Sequence, residues 1–235
     1  MTPQRGFTLI EIAIVLVIIT ILIGGLAVPL SAQIQARRIA ETRKTLEEAR
    51  EAILGYAITH RTIGDRPCLP CPDTNGDGIE EPRVANTCPQ QFGWLPWVTL
   101  GTGAQDAWGN RLRYATHTDV SNDTIGIHNN LRSPPGPVWN QICDTSPCGV
   151  ANVAADVPVV LMSHGPNGWG GRNVNNTTLA APTGADELEN LDANNLYVSR
   201  TPSQPGAPAG EFDDLTTWIS FNLLINRACP AGGCP

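Results

Sequence analysis

The residues of this 235-residue chain best equipped for chemistry are oxygen donors, thiols and one carboxylate set in an apolar run. Asp73-Thr74-Asn75-Gly76-Asp77-Gly78-Ile79-Glu80-Glu81 places oxygen-bearing side chains at alternate positions, with glycine at the sixth. That is the front half of an EF-hand-type loop. Asp73, Asn75, Asp77 and Glu81, with the Ile79 carbonyl, offer the hard donors that Ca2+ prefers. The twelfth position is Val84, so the bidentate glutamate that closes such loops is missing. The same run also reads as a metal-free turn rich in Asn, Asp and Gly.

Seven cysteines stand at 68, 71, 88, 143, 148, 229 and 234. In an oxidising compartment such cysteines are bridged. Cys143/Cys148 and Cys229/Cys234 are each spaced to close a small loop. Cys68, Cys71 and Cys88 remain, and an odd count strands at least one thiol within a monomer. Cys68-x-x-Cys71 has the form of a redox or zinc half-site. No second such pair follows, and Pro67, Pro70 and Pro72 favour an irregular loop, so structural disulfides are expected. His60, His117, His128 and His164 show no metal spacing. Ser163, in Met-Ser-His-Gly, lacks the flanking glycine of a nucleophile elbow, and no phosphate or dinucleotide loop is present. An enzyme is therefore not expected.

Positioning these groups falls first to an N-terminal helix. From Phe7 to Val28 only Thr8, Glu11 and Thr20 carry polar side chains. As a helix this run is roughly 33 Å long, enough to cross a hydrocarbon core. Glu11 within it costs about 3 kcal/mol on insertion scales and needs a partner. The nearest candidate is the amine that a cut after Gly6 would create, since a glycine lets the backbone enter a protease extended. Ile39, Leu46, Ile53 and Tyr56/Ala57 carry a helical stripe onward, with Arg and Glu on the other face. Gly24, Gly25 and Pro29 invite a kink, and the helix should end near Thr62-Ile63-Gly64 with glycine as the left-handed cap. The organisation expected is a leader over 1–6, a helix over 7–60 with a span over 7–28, and a domain over 61–235.

That domain should be loop-rich, given 23 Gly and 20 Pro in the chain. A formal net charge of −7 and a single lysine, Lys44, argue against nucleic acid as a partner. Alternation predicts strands over 111–116, 157–162, 195–200 and 215–221. Residues 117–156, 171–194 and 201–210 carry no clear periodicity. Trp94, Trp97 and Trp108 read as aromatics covering the core, with a sugar-stacking surface as the alternative.

Gly6-Phe7-Thr8-Leu9-Ile10-Glu11 ahead of an apolar helix resembles the type III signal of type IV pilins and pseudopilins. The resemblance implies an α+β, pilin-like fold: a long N-terminal helix on a small antiparallel sheet with disulfide-pinned loops. It implies cleavage after Gly6 by prepilin peptidase, methylation of Phe7, and pairing of Glu11 with a neighbouring subunit's amine. The function implied is that of a minor pilin or pseudopilin in a type IV pilus or type II secretion filament, with a tip adhesin as the alternative. The chain would pass once through the inner membrane, hold its domain in the periplasm, and join other pilin subunits through the helix. Asp106-Ala107-Trp108-Gly109-Asn110 and the strand after it resemble a turn of the major pseudopilin of type II secretion, with Ala107 replacing proline. Ser163-His164-Gly165-Pro166-Asn167-Gly168 resembles that family's calcium loop, with Asn167 replacing aspartate. On this resemblance Ser163, Asn167 and Asp213 or Asp214 form a second candidate Ca2+ site.

Overall fold

The computed structural model describes residues 6–131, 139–229 and 234, and the side chains of 25–29 fall outside that set. The chain forms two compact units, Met1–Ala40 and Glu41–Pro235. One helix, α1 (Leu9–Thr59), contributes to both.

Thr8-Leu9-Ile10-Glu11 starts α1. The Thr8 backbone N–H donates to Glu11 Oε2 at 2.8 Å, and the Glu11 N–H reaches Thr8 Oγ1 at 3.4 Å. This is a capping box, in which two otherwise orphaned helix donors satisfy each other's residues. The helix runs unbroken through Gly24, Gly25 and Pro29, the residues expected to invite a kink. Proline's φ suits a helix, and the cost of one lost backbone bond does not end this one. In the first unit Phe7, Leu9, Ile10 and the apolar residues to Ile23 are exposed. Among the described residues no helix is long and apolar enough to cross a membrane, and the expected span over 7–28 includes the side chains outside the described set.

In the second unit α1 buries Thr42, Leu46, Ala49, Ile53, Tyr56 and Ala57. Steps of three and four keep these on one face, as the expected stripe requires. Thr42 Oγ1 accepts from the Ala107 N–H at 3.1 Å, and the Tyr56 hydroxyl donates to Glu80 Oε1 at 2.7 Å. The helix stops at Thr59, short of the predicted end, and Gly64 is not its cap. The left-handed residue is Asp65, in a turn closed by its N–H on the Thr62 carbonyl at 3.0 Å.

Four strands form one antiparallel sheet in the order β1 (Phe92–Trp94), β2 (Arg113–Thr116), β5 (Val159–Ser163), β7 (Leu215–Ile219). A second sheet has the order β4 (Ala154–Val157), β3 (Asn140–Cys143), β6 (Leu196–Val198), with β3 and β6 parallel. This second sheet takes two of its strands from 117–156, a region that shows no clear strand pattern. Its short strands are too brief for alternation to stand out. The strand expected over 157–162 is divided by Pro158, between β4 and β5. Ala115, Ile142, Val157, Val160, Met162 and Tyr197 from both sheets form a buried cluster. Four short helices complete the fold: α2 (Trp97–Leu100), α3 (Thr118–Ser121), α4 (Ala185–Glu189) and α5 (Phe221–Ala228). The last replaces the predicted end of the β7 strand. Ser220 accepts from the Leu223 N–H at 3.4 Å and starts a helix whose Phe221, Leu224 and Ala228 are buried.

Both small-loop disulfides form as expected, Cys143–Cys148 and Cys229–Cys234. The third joins Cys71 to Cys88. Cys68 is therefore no disulfide partner; it is free and buried.

Candidate functional site

Two places in the structure gather the groups singled out by the sequence. The first is the start of α1. Gly6 and Phe7 are exposed, and among the described residues no atom outside its neighbours stands where a Gly6 side chain would begin. Glu11 Oε2 also accepts from the Thr8 hydroxyl, at 2.9 Å. The carboxylate thus has local donors within its own chain, beside the amine expected as its nearest partner. Residues 1–5 of the expected leader lie outside the described residues.

The second place is built where the loops after β5, around α4 and before β7 converge. Gly165 has φ +58, and a Cβ there would collide with the Asp213 carbonyl oxygen, so glycine lets the two loops close. The Asn167 N–H then donates to Asp213 Oδ2 at 3.1 Å. Glu187 on α4 accepts from the Asp213 N–H at 3.0 Å and the Asn167 amide at 3.4 Å, both through Oε1. One oxygen each from Glu187, Asp213 and Asp214 lie within 4.8 Å of one another. Glu187 Oε2 and Asp213 Oδ1 are buried without a hydrogen-bond partner.

Burial, reinforced by the neighbouring carboxylates, pushes both Glu187 and Asp213 up to about 7. Asp214 accepts from the Asn190 amide at 2.8 Å through one oxygen, and His164 Nδ1, buried without a hydrogen bond, lies 3.4 Å from the other. His164 Nε2 in turn accepts from Arg113 Nε at 3.2 Å, which leaves its proton on Nδ1, facing Asp214.

Asn167, Asp213 and Asp214 are thus brought together, but Ser163 is not. Its hydroxyl donates to Asp106 Oδ2 at 2.7 Å and accepts from the Gly165 N–H at 3.1 Å. Asp106 spends its other oxygen on the Trp108 and Asn110 N–H groups, each at 2.9 Å, which fixes the Asp106–Asn110 turn. Glu187 was absent from the predicted set. Its only sequence signal is the Asp186-Glu187 pair after Gly184, a mark of a helix start in a region without clear periodicity.

The Asp73–Glu81 loop behaves differently. Asp73 is buried and accepts from the Gly76 and Gly78 N–H groups at 2.6 and 2.9 Å. Asn75 and Asp77 each accept from a backbone N–H two residues on, at 2.8 Å, and Glu81 accepts from Thr74. Those oxygens close the loop on itself. Among the described residues, Glu187, Asp213 and Asp214 are the one group of titratable side chains close enough to share an ion. Trp94 is buried, and Arg113 and Arg111 lie over the rings of Trp94 and Trp97 at 4.0 and 3.9 Å.

Residues 1–27 match the prokaryotic N-terminal methylation motif, the signal of type IV pilins and pseudopilins. No curated protein and no solved structure matches the chain. The motif covers Gly6 and Phe7, the capping pair Thr8 and Glu11, and the first turns of α1.

Proposed function

We propose that the chain is a minor pilin or pseudopilin, a structural subunit of a type IV pilus or a type II secretion filament. The observation that carries this reading is the methylation motif over residues 1–27, set directly before a helix whose apolar side chains are exposed. Prepilin peptidase would cut after Gly6, and the new N-terminal Phe7 would be methylated. The apolar run would hold the subunit in the inner membrane with its domain in the periplasm, then pack among other pilin subunits in the filament. Mass spectrometry of the filament or membrane fraction tests this. The expected N-terminus is N-methylated Phe7, and retention of Met1 overturns the reading. A deletion strain then distinguishes the roles: loss of pili marks a pilin, loss of secretion a pseudopilin, and loss of adhesion alone a tip adhesin.

Ca2+ at Glu187, Asp213 and Asp214 is part of the same proposal. Two carboxylate oxygens buried without donors carry negative charge that a hard divalent cation would neutralise. The Asp73–Glu81 loop is the second candidate, and the commitment of its oxygens to its own N–H groups disfavours it.

A further inference from the structure

A half-open groove of about 540 Å3 lies between strand β1 of the first sheet and strand β6 of the second. Gln90, Gln91 and Phe92 line it from the β1 side, Asn194 and Tyr197 from the β6 side, and His117 and Asn140 also face it. Among the described residues, no Asp, Glu, Lys or Arg contributes to its lining.

The polar groups present are neutral. His117 Nδ1 accepts from the Asp119 N–H at 3.3 Å, which puts the ring proton on Nε2, and burial holds its pKa below the usual imidazole value. Gln90 and Gln91 are exposed, and their amides have no hydrogen-bond partner among the described residues. Each amide offers paired donors beside an acceptor, the pattern that neighbouring hydroxyls match. Phe92, half-buried with its ring 6.4 Å from that of Tyr197 and 4.6 Å from the Arg113 guanidinium carbon, adds apolar surface to the lining. The volume falls in the range of small-ligand sites.

We propose that this groove binds a neutral saccharide. The uncharged lining among the described residues disfavours phosphates, carboxylates and cations, which need a counter-charge when they leave water. A peptide adding as a strand would need an open sheet edge. The outer edge of β6 is closed at Val198, where Asn190 accepts from the N–H at 2.7 Å and donates to the carbonyl at 3.1 Å. On β1 the outer edge is bridged by Asp73 to Trp94, at 2.7 and 2.9 Å. The tryptophans singled out in the sequence, Trp94, Trp97 and Trp108, do not line this groove. The proposal supplies a ligand class for the adhesin alternative. It is independent of filament assembly, so a failure here leaves the N-terminal test standing, and the reverse.

The test is saturation-transfer NMR on the full chain in a phosphocholine detergent, with lactose, maltose, cellobiose and diacetylchitobiose as probes. At least one should give a signal that is lost, with affinity down about tenfold or more, in Gln90→Ala/Gln91→Ala. Gln91→Glu, which keeps the shape and adds a charge, should weaken binding as well. Thermal melts of each variant matching the parent show that the fold is kept. No signal from any of these sugars, or a signal unchanged in both variants, overturns the proposal.

Discussion

Glu11 Oε2 accepts from both the backbone N–H and the hydroxyl of Thr8, at 2.8 and 2.9 Å. The carboxylate therefore has two roles open to it. Within its own chain it caps the helix, and in a filament its charge would meet the amine of a neighbouring subunit. The two roles respond differently to substitution.

Glu11→Gln keeps an oxygen that can accept from Thr8 and removes the charge. Glu11→Val removes both and makes membrane insertion easier. If the charge matters for assembly, both variants should enter filaments several-fold less well, while the domain from Glu41 onward melts as before. Filament incorporation measured by immunoblot decides this. Normal incorporation of Glu11→Gln with a defect in Glu11→Val would reduce the residue to a helix cap.

Glu187 and Asp213 give the domain a defined response to pH. Their folded values of about 7 stand above the unfolded 4.5 and 3.8, so the folded chain holds protons that the unfolded chain releases. Stability from these groups is fully present below about pH 4 and is lost as pH rises through about 7. Asp73 and Asp106 are raised by burial and act in the same direction. In chelator, the melting temperature should fall between about pH 5 and about pH 8. Glu187→Gln, which cannot ionise, should flatten that fall. A melting temperature that rises over the same window contradicts the assignment.

Calcium should reverse the loss at neutral pH. An ion bound to the folded chain alone stabilises by about 2.7 kcal/mol at a hundred times its Kd. For a chain of this size that is roughly 5–10 °C in melting temperature. Glu187→Gln with Asp213→Asn should abolish the gain, and Asp73→Ala with Asp77→Ala should leave it. The reverse pattern would move the ion to the Asp73–Glu81 loop, and no shift in the parent chain would remove both sites.

Cys68 should be the one reactive thiol of the oxidised chain, and only after unfolding. It is 3% exposed, and burial pushes its thiol up to about 11, so little of the reactive thiolate forms. Intact mass after iodoacetamide should be unchanged in buffer and should show a single addition in denaturant. Replacing Cys71 and Cys88 by serine should cost about 3 kcal/mol, the usual effect of opening a loop of that length. Rapid labelling of the folded chain would show that Cys68 is not held in the core.

What the sequence determined by itself is whatever depends on near neighbours along the chain. The N-terminal methylation motif lies in adjacent residues, and the stripe from Leu46 to Ala57 rests on spacings of three and four. Cys143–Cys148 and Cys229–Cys234 close five-residue separations, and the alternation of β7 lies within one strand. The tertiary structure decided where distant segments meet. Cys71 is close to Cys68 in the chain yet bonds Cys88, because the proline-rich loop carries it there. Glu187 joins Asp213 from a turn of helix that no periodicity announces, and β6 pairs with β3 from more than fifty residues away. Such contacts carry no local pattern. They form only when loop closure brings the segments together, and the core of the two sheets then holds them.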